Sequence, residues 1–317
     1  MLLVVHADQL AEHLRRLLGV LDRPRERDRP AHRVRVLLQR HLLIAVDPEQ
    51  KFAIRLLCLE HAVRASIELH RLNDKFKDIL AQHLIASVLI GSRSDDQESY
   101  LFKLSLASSN ITINCETSPM GPFRSAVFPP EKRGQFNGSL DGQLRTIRLK
   151  KGNELYESIS EINSLGICET FNDYLANSAQ RLSILELDQN KHGRGHGFGL
   201  WIEKLPQTTE ADWRTFTNRF SNRDFFQSCL ASSSDPDKIV TKLFDEGIQI
   251  LAITKPKLTC SCNKDRIINA LSTLPQKDLL DLFMDKSIET QCDYCHKVWT
   301  LTDADLKDLL PINSTQH

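Results

Sequence analysis

Four cysteines carry the clearest chemistry in this 317-residue chain. Cys260 and Cys262 flank one serine in LTCSCNKD, and about thirty residues later Cys292 and Cys295 enclose two residues in QCDYCHKVW. Two close thiol pairs at that separation match a closed tetrahedral shell of four thiolates round one zinc ion. His296 could compete as a ligand, but four sulfurs already fill the shell. A purely structural zinc is the ordinary reading of such a quartet. The single residue between Cys260 and Cys262 suggests more. In an extended chain their α-carbons lie roughly 6–7 Å apart, at the upper edge of the disulfide range. A strained disulfide is easily broken again. Zinc keeps the sulfurs as thiolates, the reactive form, and Lys257, Lys264, Arg266 and Lys297 add positive charge nearby. The arrangement suits a sensor that oxidises.

The other chemical candidates are weaker. HGRGHGFGLW at 192–201 fits neither the dinucleotide fingerprint nor the P-loop, and a strand pattern follows it, so it reads as a turn. His192 and His196 are spaced i, i+4, but the glycines between them disfavour a helix that would present them as a metal pair. Cys58, Cys115, Cys168 and Cys229 stand isolated in apolar surroundings and read as small buried hydrophobes. There is no Gly-x-Ser-x-Gly and no carboxylate pair that spacing marks as catalytic, so no enzymatic activity is expected. A metalloenzyme is disfavoured too, because a closed four-sulfur shell leaves no open position for substrate.

The quartet needs elements to hold it. NKDRIINALSTL and PQKDLLDLFMDK, between the two pairs, read as amphipathic helices, with Asn263 as N-cap of the first. CDYC leads through HKVWTL into a strand, and Thr302 with Asp305 resembles a capping box for a last helix. Upstream, FAIRLLCLEHAVRASIEL reads as one or two strands. NDKFKDILAQHLIASVLIG places Phe76, Ile79, Leu80, Leu84 and Val88 at helical spacing. SYLFKLSLASSNITINCET, FRSAVFPP, LRTIRLKK, RLSILELDQ and GFGLWIEKLP read as strands. ESISEINSLGICETFNDYLANSAQ reads as a strand followed by a helix. Strands come in runs and helices in groups, which predicts an α+β fold with a strand-rich N-terminal domain. In TTEADWRTFTNRFSNRDFF, Trp213, Phe216 and Phe220 repeat with helical spacing and Phe225 and Phe226 follow. After the flexible joint ASSSDPD at 231–237, DKIVTKLFDEGIQIL gives a second short helix. Residues 207–257 are thus expected to be a helical linker, rich in aromatics but too small for a core of its own.

Composition sets the outer limits. Apolar residues are 41% and charged residues 26%, and the formal net charge is zero. A protein working mainly on phosphates would carry a basic excess, so nucleic acid is not an expected partner. A zinc-ribbon protein that binds nucleic acid is the alternative this disfavours. No apolar run spans a membrane, and MLLVVHADQ is too short for a secretory signal, so a cytoplasmic protein is expected. Thiols there stay reduced, and clustered cysteines serve as metal ligands or redox centres rather than as structural disulfides. Residues 1–50 stand apart, with nine arginines and no lysine. The interleaved Glu26, Asp28 and prolines make a solvated linker the expectation for the Arg-rich run. The Leu/Val stretches on both sides of it are compatible with short helices or a strand, and the segment as a whole is expected to be dispensable and compatible with disorder. The same break is compatible with a natural start later than Met1.

The motifs resemble those of the heat-shock protein 33 family, redox-regulated holdase chaperones of the bacterial cytosol. CSCNKDRIINAL and CDYC are similar to the family's Cys-x-Cys and Cys-x-x-Cys. NDYLANSAQ resembles its Tyr-x-x-x-Ser-x-Gln helix through Tyr174, Ser178 and Gln180. GFGLWIEKLP resembles the last strand of its main domain, and IVTKLFDEGIQIL the segment leading into its zinc module. The likeness covers roughly 52–311. Residues 1–50 match nothing in the family, and AQHLIASVLIGS near 81–92 is short where the family carries a longer helical region, which bears on dimerisation. The resemblance implies a core domain at 51–206, a metastable linker at 207–257 and a zinc redox-switch module at 258–317. It implies one zinc per chain on Cys260, Cys262, Cys292 and Cys295 in the reduced, inactive monomer. Oxidation would pair Cys260 with Cys262 and Cys292 with Cys295, release the metal, unfold the linker and yield a dimer. The dimer would hold unfolding clients without ATP, with Trp213, Phe216, Phe220, Phe225 and Phe226 offered to them.

Overall fold

The computed structural model describes residues 42–49, 51–93, 97–119, 122–136, 138–188, 197–220, 224–232, 239, 242–244, 248–274 and 287–306. The Arg-rich run at 23–35, the histidines 192 and 196, most of the 231–237 joint and the second amphipathic segment at 275–286 lie outside these residues. The chain divides after Leu258 into two compact units.

The first unit is organised round one helix. The strands β1 (Leu42–Val46) and β2 (Phe52–Cys58) are followed by α1 (Glu60–His70) and α2 (Asp74–Gly91). The Asn73 side chain accepts the Phe76 N–H at 3.0 Å, the N-cap that starts α2. Its Nδ2 also donates to the Gly134 carbonyl at 3.0 Å, which ties the helix start to a distant loop. Phe76, Leu80, Leu84, Ala86 and Leu89 are all fully buried, because α2 is covered by sheet on both sides.

One sheet holds β3 (Glu98–Leu106), β4 (Ile111–Thr117), β5 (Pro122–Phe128), β6 (Gly142–Lys150) and β7 (Asn153–Glu161). With the two-residue β11 (Lys257–Leu258) its order is β11-β5-β4-β3-β6-β7. The other sheet adds β8 (Ser183–Leu187), β9 (Phe198–Lys204) and β10 (Gln249–Thr254), in the order β10-β1-β2-β9-β8. Helix α3 (Ile167–Asp173) continues into a π-helical turn at Tyr174–Ser178, which buries Tyr174 and Leu175. The fold is α+β and strand-rich, and all its ladders are antiparallel except β11 against β5. At Gly199 of β9 a Cβ would meet Ile85 Cγ2 at 2.3 Å, so glycine lets α2 lie directly on the sheet.

Three expectations need correction. Residues 60–70 form a helix rather than a strand. Val63, Ser66 and His70 line its buried face, and Ser66 and His70 bond to Ser125 of β5. The segment 1–50 contains a central strand: all five residues of β1 are buried, with β2 on one side and β10 on the other. The linker 207–257 is not wholly helical, since β10 completes the sheet beside β1. Its first part does form helices, α4 (Glu210–Asn218) and α5 (Asp224–Ser232).

These helices cover the far face of the five-stranded sheet. Phe52, Ile54 and Leu56 of β2 and Leu200 and Ile202 of β9 pack there against Phe220, Phe226, Leu230, Leu243 and Phe244. On the sheet's other face, next to α2, Arg55 and Glu203 are buried as a pair at 2.6 Å. Arg181 and Arg93 reach the same carboxylate at 3.2 and 3.3 Å, and the Arg55 guanidinium lies 4.9 Å from the Trp201 ring centre.

In the second unit, α6 (Lys264–Leu271) precedes a hairpin of β12 (Ser287–Gln291) and β13 (Val298–Thr302), and α7 (Asp303–Leu306) follows. Leu301 of β13 is a fully buried apolar side chain of this unit.

Candidate metal centre

Local rules build the second unit's cysteine site. Cys260 and Cys262 stand on the extended approach to α6. Asn263 caps that helix by accepting the Arg266 N–H at 2.8 Å, and Arg266 Nη1 donates back to the Ser261 carbonyl at 3.3 Å. Cys292 and Cys295 occupy the turn between β12 and β13. That turn closes by Cys292 N–H to Lys297 O at 3.0 Å and His296 N–H to Cys292 O at 2.7 Å, with His296 in the left-handed region at φ 56°. Lys264 at the start of α6 donates to Asp305 at 2.9 Å, joining the two halves. Asp305 also accepts the Thr302 N–H, the expected cap of α7. That bond first, and Lys264 second, hold its carboxyl down at about 2.

The four sulfurs converge. Cys260 and Cys292 are 3.6 Å apart and Cys262 and Cys295 3.4 Å, and all four lie within 4.8 Å of one another. Bonded sulfurs would be about 2.05 Å apart. Four thiolates at about 2.3 Å from one ion, tetrahedrally placed, stand roughly 3.8 Å from each other. The donor set therefore fits a metal ion, and His296 contributes a backbone contact. Without a cation the Cys292 and Cys295 thiols resist ionisation. Burial, and then the neighbouring sulfurs, push Cys295 up to about 12, against the Lys297 amide, and burial raises Cys292 as well. A cation at the centre inverts that balance, because each thiolate then faces opposite charge.

The remaining cysteines behave as small hydrophobes. Cys58, Cys115, Cys168 and Cys229 are all buried, and burial pushes the thiols of Cys58 and Cys115 up to about 12. The linker aromatics form a separate cluster in the first unit. Phe52 stacks on Phe216 with centroids 4.0 Å apart and lies 5.9 Å from Trp213, and Phe220 lies 5.5 Å from Phe216 and 5.4 Å from Phe225. Phe226 is buried, while Trp213, Phe216 and Phe225 are partly so. Sequence reasoning did not find their platform, the β2 and β9 face. The available signal was FAIRLLC, which lacks the alternation of a strand with one wet face.

Comparison with known proteins agrees with this arrangement. The pattern of the family described as "Hsp33 protein" matches residues 41–302. The 33 kDa chaperonin of Agathobacter rectalis is 30% identical over 179 residues, which are 54% of this chain and 62% of that protein. The chain thus spans under two thirds of that relative. The 33 kDa chaperonin of Streptococcus sanguinis is 24% identical over 85% of this chain and 98% of its own length. The crystal structure of the Thermotoga maritima 33 kDa chaperonin superposes with a TM-score of 0.72 at 19% identity, covering 86% of this chain and 97% of that one. From β1 through β13 the sequence follows one family's pattern, and the chain belongs to the Hsp33 family, a family of chaperones rather than of enzymes.

Proposed function

We propose that this protein is an ATP-independent holdase, switched by oxidation of a zinc centre made of Cys260, Cys262, Cys292 and Cys295. The observation that carries the reading is the thiol cluster in the small second unit. Structural zinc contributes about 10–16 kcal/mol to small modules of this kind. A unit of about sixty residues supplies only a few kcal/mol, roughly, from a core of its own, so the metal decides whether the unit is folded. When bound, zinc holds the four sulfurs as thiolates and keeps them reactive. Oxidation to disulfides removes the ligands and releases the ion. We place the disulfides within Cys260–Cys262 and within Cys292–Cys295, after the family pattern.

Release then propagates to residues 207–248. That stretch is held by Thr208 Oγ1 donating to the Lys51 carbonyl, by the Lys51–Asp212 ion pair at 3.2 Å and by its aromatics on the sheet. Its undocking uncovers Phe52, Ile54, Leu56, Leu200 and Ile202 as well as its own rings. An apolar face of that extent binds unfolding chains or aggregates. The reduced protein is an inactive monomer, the oxidised protein an active dimer, and both reside in the cytoplasm. No helix among the described residues is long and apolar enough to cross a membrane.

Zinc and free thiols counted before and after peroxide with mild heat test the switch, together with limited proteolysis and suppression of client aggregation. Zinc loss, cleavage between residues 207 and 248, and aggregation suppression should appear together and reverse on reduction. Peptide mapping without reductant reads the disulfide pairing. Cys292→Ser should lower zinc stoichiometry; unchanged zinc would remove this site from the mechanism. A nucleic-acid-binding zinc ribbon predicts instead RNA or DNA binding that weakens steeply with salt.

A further inference from the structure

The last strand of the six-stranded sheet presents an unused edge. β7 is nine residues long and pairs with β6, and on its other side no described strand bonds to it. Long, exposed, apolar edges are what proteins ordinarily shorten, twist away or cover. Here Leu155 is 52% exposed, Tyr156 43% and Ile159 57%. Glu157, Ile159 and Glu161 alternate onto one face, and exposed Leu155 stands at the bulge where the register with β6 shifts. On the opposite face Tyr156 Oη donates to the Ser178 carbonyl at 3.3 Å and Ser160 Oγ lies 3.4 Å from Ser178 Oγ, so the strand is braced from behind. An extended polypeptide laid along this edge would gain main-chain hydrogen bonds and two apolar neighbours, Leu155 and Ile159.

Charge identifies the occupant. β7 carries Glu154, Glu157 and Glu161 and no lysine or arginine, and Glu157 is paired with Arg145 of β6. A second copy offering its own β7 would add three more glutamates. An antiparallel pairing of two copies centred on this stretch sets Glu157 opposite Glu157, and like charges directly opposite destabilise a ladder. Successive side chains of a strand point to opposite faces, so a segment with apolar and basic residues at every second position meets Ile159 and opposite charge along one face instead. We propose that β7 is a strand-addition site for extended segments in which apolar residues and lysine or arginine alternate at every second position, such as an unfolding client exposes. This extends the chaperone reading by naming a class of client segment, but it does not depend on the thiol switch.

The test uses the full-length, zinc-loaded, reduced protein and three labelled ten-residue peptides. One repeats valine–serine–lysine–serine, one valine–serine–glutamate–serine, and the third is the lysine peptide with proline in place of each serine. The valine–lysine peptide should bind, and the other two at least roughly tenfold more weakly, since two or three cross-strand pairs change sign or the backbone donors are lost. Glu154→Lys with Glu161→Lys, both at exposed positions, should weaken the lysine peptide by about tenfold and strengthen the glutamate peptide. Leu155→Ser with Ile159→Ser should weaken both, at an unchanged melting temperature. Equal affinity for the two charged peptides, or indifference to the charge reversal, would overturn the proposal. So would a wild-type dimer that Ile159→Lys dissociates without affecting peptide binding, because the edge would then serve self-association. Peptide binding that fails while the oxidised protein still suppresses aggregation sinks this inference alone. Peptide binding as stated without any suppression leaves the edge site standing and removes the holdase reading.

Discussion

Phe52→Ala should loosen the linker without touching the zinc centre. Phe52 is 5% exposed, at the first position of β2, and its ring stacks on Phe216 at 4.0 Å and lies 5.9 Å from Trp213. Both partners belong to α4. Truncation removes about 1.5–3 kcal/mol of apolar burial and two ring contacts worth about 0.5–1.5 kcal/mol each. The sum agrees with the roughly 3–5 kcal/mol typical of Phe→Ala in cores. Most of that loss falls on the contact between linker and sheet. A shift of about 3 kcal/mol raises the undocked population roughly a hundredfold. Limited proteolysis of the reduced protein should then cut between residues 207 and 248 while zinc content stays at the wild-type level. Phe102→Ala is the control of equal chemistry. Phe102 is fully buried beside Phe171 and Tyr174, away from α4. It should lower the melting temperature as much but leave linker cleavage tied to global unfolding. If Phe52→Ala leaves the linker as protease-resistant as in the wild type, or cleaves linker and core at one rate, the sheet face is not what holds the linker.

Three further outcomes are expected. A chain starting at residue 51 should fail to fold, because it deletes β1 and leaves β2 and β10 without their shared partner; one starting at residue 41 should give a native near-UV circular dichroism spectrum. Glu203→Ala should cost about 3–5 kcal/mol in denaturant unfolding, since it leaves the buried Arg55 and its neighbours Arg93 and Arg181 without their carboxylate. Zinc retention against a chelator should fall with pH. The metal-free thiols of Cys292 and Cys295 lie above the ordinary thiol value, so binding must displace their protons, and each displaced proton weakens affinity by up to about tenfold per unit of pH lost.

What could be read from the sequence was what is decided locally. Cys-x-Cys and Cys-x-x-Cys determine a four-thiol site because ligand spacing works within single turns, and Asn263 and the Thr302–Asp305 cap sit within three residues of their partners. The helix at Asp74–Gly91 was legible from the periodicity of Phe76, Ile79, Leu80, Leu84 and Val88. The sheet order was not, because strand pairing joins residues far apart in sequence, and periodicity carries no record of which strand lies beside which. β1 reads as the tail of an Arg-rich segment until β10, some two hundred residues later, closes against it. The stretch 60–70 reads as a strand until Ser66 and His70 find Ser125. β2, covered on one face by α2 and on the other by the linker helices, has no wet side to mark its period, so only the folded chain reveals that the aromatics of 213–226 rest on it.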